Sequence, residues 1–224
     1  HVSEAFAEDP VRILRVARFA ARFGFRIADE TMALMSMMVA NGETDHLVPE
    51  RVWQEFSKGL TEPQPALMFE ALERCGLRPK LLPELTQLPK TWSGSQPVRF
   101  AVLCWPLQEG EIKALCDRLK VPNEERELAL LSCRCQKILH PSRPAEFLNL
   151  FKRADAFRRP ERFASFLEAA RHAQPGFDAH NIERALKAAA AVDAGAIASK
   201  AATPTDIPAL LDREREQAIE KGKP

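Results

Sequence analysis

The strongest constraint on the fold is a helical spacing of apolar residues that runs through nearly the whole chain. Val11, Leu14, Ala17 and Ala21 recur every three or four positions, whereas alternating β-branched runs are hard to find. The helix starts are marked by prolines, whose missing N–H is tolerated there: Pro10, Pro49, Pro63, Pro79, Pro122, Pro144, Pro160 and Pro204. The pattern predicts an all-α protein of roughly ten to twelve helices.

Two breaks in this periodicity divide the chain into three predicted domains. The segment from Pro83 to Pro97 is rich in turn-forming residues, and the composition shifts again near His140, before a segment rich in Phe and Arg. We therefore expect domains at residues 1–85, 86–140 and 141–224. The alanine-rich stretch Ala185 to Ala202 has little to bury, so its helix must be held by neighbours or be mobile.

Charge and cysteine content limit the classes of function. The 32 Lys and Arg residues nearly balance the 31 Asp and Glu residues, so any surface for nucleic acid must come from local clustering of cations. Five cysteines without a CxxC pair favour a reducing compartment, and we expect a cytoplasmic protein. No stretch has the apolar length of a membrane span, so we expect no membrane partner. The chain begins with His1 and its strongest motif follows at once, which predicts a fragment.

That motif is the start of a predicted helix at Glu8-Asp9-Pro10. Asp9 is placed to be the N-cap, and its carboxylate can lie beside the guanidinium of Arg12, three residues later. At 100° per residue, one arc of about 120° holds Arg12, Arg15, Arg18 and Arg22. The other side, which we expect to pack, holds Leu14, Val16, Ala17, Ala20, Ala21 and Phe23.

A carboxylate beside a guanidinium can read the edge of a nucleobase. The carboxylate accepts hydrogen bonds and the guanidinium donates them, so the pair matches the amino group and ring nitrogen of cytosine or adenine. Uracil and guanine present the opposite pattern and would be rejected, by about 10⁴-fold or more in sites of this kind. The plainer alternative, which spacing alone favours, is a capped amphipathic helix with a solvated arginine face.

The run from His1 to Phe23 resembles the template region of bacterial class II CCA-adding enzymes, which add CCA to tRNA with CTP and ATP. The resemblance implies that Asp9 and Arg12 read the base, that Glu8 supports them and that Arg15 is a further nucleotide contact. A second matching run, from His46 to Glu55, makes Glu50 and Arg51 candidates for bracing the pair. It also implies an elongated arrangement of neck, body and tail for the three predicted domains.

Two alternatives remain beside this resemblance. Bacterial poly(A) polymerase shares the Glu-Asp-Pro-x-Arg-x-Leu-Arg helix, although the phrase from Leu14 to Phe19 looks more like the CCA enzymes. The other alternative is a helical RNA-binding module that never had a catalytic partner.

The catalytic chemistry implied by the resemblance needs residues that this sequence lacks. Nucleotide transfer in that superfamily uses an Asp-x-Asp pair to hold Mg²⁺, and the chain contains no Asp-x-Asp. We therefore expect the α/β head that carries Mg²⁺ to be a missing N-terminal partner, and this fragment alone to be inactive. The scattered histidines lack metal-ligand spacing. The Cys133-x-Cys135 pair could in principle bind a metal, but one short pair without further ligands is more typical of core packing, so no metal site is predicted.

Contacts to tRNA are predicted in the C-terminal part. Phosphate binding needs clustered cations, and the candidates in one basic stretch are Lys152, Arg153, Arg158, Arg159 and Arg162. The last helix, from Asp206 to Lys221, resembles the tail helix of the CCA-adding enzymes, and this resemblance makes Arg213 a further candidate. The phenylalanines between them, such as Phe151 and Phe163, recur at helical spacing and are expected to form a core rather than to stack on bases.

Overall fold

The computed structural model describes residues 4–200 and 203–222, and within them it is all-α with no strand. Three short 3₁₀ turns cover Glu4–Glu8, Glu43–His46 and Gln136–Ile138. The α-helices are α1 (Val11–Phe23), α2 (Asp29–Ala40), α3 (Pro49–Thr61), α4 (Pro65–Arg74), α5 (Arg78–Leu81), α6 (Gln96–Leu103), α7 (Glu109–Leu119), α8 (Asn123–Cys135), α9 (Pro144–Arg153), α10 (Pro160–Ala173), α11 (His180–Ala190), α12 (Ala194–Lys200) and α13 (Ile207–Lys221). The predicted fold class is confirmed.

Prolines open several of these helices, as the sequence predicted. Pro49, Pro144 and Pro160 are the first residues of α3, α9 and α10. The prediction at Pro63 was wrong by two residues, because α4 begins at Pro65. In each case the ring occupies a position whose N–H would have no partner within the helix, so the proline removes nothing.

The described residues form two compact units that divide between Cys133 and Arg134. The first unit contains all of the predicted neck and most of the predicted body. The turn-rich segment after Pro83 is a loop between α5 and α6, yet it does not separate two cores. Leu82 and Leu85 are buried in the core, and the Trp92 ring stacks on Phe69 with centroids 5.3 Å apart.

The core of the first unit holds α1 in place. This helix packs against α3 and α4. Beneath it, Phe56 meets Phe69 edge to face at 5.7 Å, and Trp53 meets Phe100 in the same way at 5.3 Å. Such buried aromatic pairs add directional packing to their large apolar area. The position of α1 is thus set by neighbours that lie far from it in sequence.

The second unit packs α13 against α9, α11 and α12. Phe151, Phe163 and Phe166 are fully buried, which confirms that phenylalanines of this segment form a core. As far as Lys200, the alanine-rich stretch forms the end of α11 and all of α12, and Ala185 and Ala189 are buried on α11; Ala201 and Ala202 lie outside the described residues. Neither in this unit nor in the first does the described part of the chain contain a helix long and apolar enough to cross a bilayer.

Candidate functional site

The predicted base-reading residues lie at the N-terminal end of α1. The helix begins at Val11, and Pro10 rather than Asp9 is its N-cap residue. Asp9 nevertheless satisfies free donors at this end: its Oδ1 accepts the Val11 N–H at 3.1 Å, and its main-chain carbonyl accepts the Arg12 N–H at 2.9 Å. The carboxylate is therefore tied to the first turn of the helix and has a defined direction.

A second helix fixes the Asp9 carboxylate from the other side. Arg51, on the first turn of α3, donates from one guanidinium nitrogen to Oδ2 at 2.7 Å and from the other to Oδ1 at 3.4 Å. These hydrogen bonds lower the pKa of Asp9 below its ordinary value. The side chains remain 30% and 52% exposed for Asp9 and Arg51, so a ligand can reach both of them.

Arg12 does not pair with Asp9, contrary to the contact that the three-residue spacing allowed. Its guanidinium lies 3.9 Å from Glu8, the residue to which the family resemblance gives a supporting role. Arg51 takes the place of Arg12 because α3 approaches the carboxylate from outside α1, which helical spacing cannot reveal. Arg15 and Glu50 are exposed and have no side-chain partner among the described residues.

The exposed face of α1 is rotated by about 40° from the predicted cationic arc. It contains Arg12, Arg15, Val16, Phe19, Arg22 and Phe23, and Phe23 is 62% exposed. The expectation that Phe23 packs inward was wrong, as was the placement of Arg18 on the solvated face. Arg18 is only 9% exposed.

Arg18 is buried because two carboxylates from other segments meet it. Its Nε donates to Glu55 at 2.7 Å, and one terminal nitrogen donates to Glu62 at 3.0 Å. Arg99 adds a hydrogen bond of 2.7 Å to the carbonyl of Leu60. Sequence reasoning missed this cluster. Its signal was a glutamate at position 55, adjacent to apolar residues that form the buried face of α3.

Several of the predicted tRNA-binding cations in the second unit are already engaged. Lys152 forms an ion pair with Asp212, and Arg159 lies 3.8 Å from Asp155. Arg162 is half-buried and donates to a main-chain carbonyl at 3.2 Å. These three side chains contribute to the packing of their own unit, which reduces the charge they can offer to a phosphate.

The other predicted cations of this unit are open to solvent. Arg153, Arg158 and Arg213 are exposed and have no side-chain partner in the part of the chain that the structure describes. In the same described residues, no cluster of three or more His, Cys, Asp or Glu side chains is arranged to hold a metal ion.

Comparison with known proteins assigns the family. Residues 24–88 match a family model described as "Probable RNA and SrmB- binding site of polymerase A". The "Multifunctional CCA protein" of Laribacter hongkongensis is 41% identical in an alignment that covers 100% of this chain and 69% of that protein. The chain belongs to the multifunctional CCA protein family. The relative from Nitrosospira multiformis is 40% identical, with 94% of this chain and 65% of that protein covered.

Solved structures of CCA-adding enzymes share the fold of this family member. The complex with ATP superposes with a TM-score of 0.63 at 17% identity, over 98% of this chain and 57% of that one. The apo form I gives 0.63 at 18% identity, over 96% and 56%. The predicted family is thus confirmed, and the chain spans about two thirds of the relatives, or 69% and 65% of the two compared.

Proposed function

We propose that this chain is the nucleotide-selecting and tRNA-binding part of a CCA tRNA nucleotidyltransferase, which adds or repairs the 3′-terminal CCA with CTP and ATP. The observation that carries the proposal is the Asp9 carboxylate, which Val11 and Arg51 hold in one direction at the end of α1 where the Arg12 guanidinium is also half-exposed. Its cellular setting in this proposal is the cytoplasm, where tRNA and both nucleotides are available.

The hydrogen bonds that Asp9 already makes indicate which oxygen would read the base. Oδ1 accepts from both Val11 and Arg51, whereas Oδ2 accepts from Arg51 alone. Because each carboxylate oxygen accepts about two hydrogen bonds, Oδ2 retains room for one more donor. The amino group of cytosine or adenine is such a donor, and Arg12 would then donate to the ring nitrogen beside it.

Arg51 has a specific role in this mechanism. A protonated Asp9 could donate to the carbonyl of uracil or guanine and would accept the wrong base. An aspartate of ordinary pKa is already ionised at neutral pH, so Arg51 supports rejection of UTP and GTP mainly by holding both acceptor oxygens of Asp9 in one direction. By lowering the pKa of Asp9, Arg51 also extends this pure-acceptor form to lower pH. The ionised form persists above the folded-state pKa of Asp9 and is lost only when the pH falls through that lowered value.

The neighbouring candidates take supporting roles in the proposal. Glu8 lies close enough to restrain the Arg12 guanidinium, at 3.9 Å. Arg15 is free to contact the sugar or phosphates of the nucleotide. A bracing role for Glu50 rests on the family resemblance alone, since this side chain is exposed without a partner among the described residues.

We assign tRNA phosphate contacts in the second unit to Arg153, Arg158 and Arg213, because they are exposed without a side-chain partner among the described residues. Removing one phosphate contact should weaken tRNA binding and reduce the dependence of log affinity on log salt by about one. Lys152, Arg159 and Arg162 should contribute less, since their charges are already engaged.

Bond formation is assigned to carboxylates outside this chain. The sequence contains no Asp-x-Asp pair to hold Mg²⁺ against a triphosphate, so this chain by itself should bind or select nucleotides poorly and transfer none. Mg²⁺ would be bound by a head domain that carries such a pair, and that head is the expected partner of this chain.

The test is single-turnover incorporation by the protein that joins this chain to its catalytic head, with a tRNA that lacks its CCA end. In the variants Asp9→Ala and Arg12→Ala, the ratio of CTP to UTP incorporation should fall by at least about ten-fold. In Arg51→Met this ratio should fall by a smaller factor while tRNA affinity is kept. Lys113→Ala, a change at an exposed cation of α7, is the control.

The alternatives give different results in the same assay. Unchanged C and A selectivity in both Asp9→Ala and Arg12→Ala would refute the base-reading assignment. Long A tails in place of CCA would favour the poly(A) polymerase alternative. Tight RNA binding with no incorporation by the joined protein would favour a non-catalytic RNA-binding module.

A further inference from the structure

Two phenylalanines at the end of α1 are open to solvent and stacked on each other. Phe23 is 62% exposed and Phe25 is 47% exposed, although phenylalanine is normally buried. Their rings are nearly parallel, with an interplanar angle of 13° and centroids 5.8 Å apart. Phe19 continues the row, with its centroid 6.0 Å from that of Phe23. Three aromatic rings therefore follow one another on the surface.

Arginines are interleaved with these rings. The Arg22 guanidinium lies 5.3 Å from the centroid of Phe23, within cation–π range. Arg22 and Arg15 have no carboxylate partner in the described ranges, 4–200 and 203–222, so their charges face solvent. We name the set Arg15, Phe19, Arg22, Phe23 and Phe25 the aromatic–arginine stripe.

The stripe lies on the same helix face as the base-reading arginine. At 100° per residue, Phe19 and Phe23 are within about 20° of Arg12 around the axis. Phe23 is about 16 Å further along the helix, at about 1.5 Å per residue. A nucleic-acid strand with about 3.4 Å between nucleotides would cross this distance in about five nucleotides.

A tight turn keeps Phe25 in the stripe. Gly24 has a positive φ of 68°, which lets the chain reverse so that Phe25 returns onto Phe23. A side chain at Gly24 would also approach Gln64, whose Nε2 lies 2.5 Å from the position of an added Cβ. Beyond Phe25 lies a surface pocket of about 260 Å³ lined in part by Arg26 and Arg74.

We propose that the aromatic–arginine stripe is a second RNA site, which binds unpaired bases of a single strand by stacking and its phosphates by arginine. Aromatic rings with interleaved cations suit this ligand because every base has a π-face and every nucleotide a negative phosphate. Unpaired guanidinium groups beside the rings disfavour a dry apolar protein interface, where their desolvation would be costly. The RNA-binding family match begins at Gly24 and includes Phe25.

This site rests on the proposed role in RNA binding but does not depend on base reading by Asp9. It should tolerate any base sequence, whereas the Asp9 and Arg12 pair should accept only cytosine and adenine. Loss of one property without the other therefore tells the two proposals apart.

The experiment measures fluorescence anisotropy of labelled oligoadenylate and oligocytidylate with the 224-residue chain and its variants. Phe23→Ala and Phe25→Ala should each weaken the binding of both RNAs by about five-fold or more, which is the effect of removing one stack between an aromatic ring and a base. Phe23→Trp should retain the affinity, whereas Phe23→Leu, which remains apolar, should lose it. Met37→Ala is the control, because Met37 is 51% exposed on α2.

Because Phe23 and Phe25 are exposed, replacing them should leave the fold intact, and circular dichroism and thermal unfolding check this. Equal RNA affinity for Phe23→Ala and the unchanged chain would overturn the proposal. So would full affinity in Phe23→Leu, since an apolar contact would then suffice. Unchanged RNA affinity together with a shift in sedimentation for Phe23→Ala would instead identify a contact between two copies of the chain.

Discussion

The buried position of Arg18 gives a prediction that depends on the tertiary structure alone. Arg18→Met preserves the length and the apolar stem of the side chain but removes its charge. The side chains of Glu55 and Glu62 are only 11% and 15% exposed. In the variant both carboxylates would stay buried and would lose the hydrogen bonds and the positive charge that Arg18 supplies. We expect the first unit to unfold at markedly lower temperature or denaturant concentration.

The size of the effect follows from this burial. Removing one partner of a buried ion pair costs about 3–5 kcal/mol, because the remaining charge stays desolvated. The residual exposure of both carboxylates places the expected loss at the lower end, about 3 kcal/mol. For a chain of this length that corresponds to a fall of about 10 °C in Tm.

Urea and thermal unfolding of three variants test the reasoning. Arg15→Met makes the same substitution at an exposed position of α1 and should change the free energy of unfolding by less than about 0.5 kcal/mol. Adding Glu55→Gln and Glu62→Gln to Arg18→Met should recover part of the loss, because the unpaired charges are gone. A loss below about 1 kcal/mol for Arg18→Met, or a further loss in the triple variant, would refute the buried-charge explanation.

Three further predictions concern helix packing and capping. Gly59→Ala should lower the free energy of unfolding by about 1–3 kcal/mol in urea titration, because an added Cβ would lie 2.1 Å from the sulfur of Met68. Gly110→Ala, in a helical position with open space, should raise it by about 0.5–1 kcal/mol in the same assay, and a decrease would show that the added methyl group meets a neighbour. Hydrogen bonds from Ser142 and Arg143 lower the pKa of Glu146 to about 2. The ionised side chain therefore stabilises the fold above its ordinary pKa of 4.5, and this stabilisation is lost as the pH falls towards about 2. Glu146→Gln should therefore destabilise the second unit at neutral pH but not near pH 2. An equal loss in the free energy of unfolding at both pH values would show that the ionised carboxylate is not the source of the stabilisation.

The helical fold was predictable because apolar spacing and proline positions act locally. A period of three to four residues and a proline at the first turn are properties of short segments, and they placed α3, α9 and α10 correctly. The division into compact units was not predictable in this way. The loop after Pro83 has the composition of a linker. Leu85 and Trp92 of this loop nevertheless pack against a single core, to which helices before and after the loop both contribute.

The candidate site divides along the same line. The positions of Asp9 and Arg12 at a helix start, and their donor and acceptor chemistry, follow from adjacent residues in the sequence. That Arg51 rather than Arg12 binds the carboxylate follows from the approach of α3, 42 residues away along the chain.

The sequence by itself determined the helical class, the family resemblance and the residue types at the start of α1. Only the tertiary structure decided which side of α1 faces solvent, and hence that Arg18 is buried and Phe23 exposed. The physical reason is that a helical wheel orders residues around an axis but contains no information on its neighbours. The ion pairs with Glu55 and Glu62 stabilise Arg18 in a buried position, and with α1 in this orientation Phe23 lies on the surface.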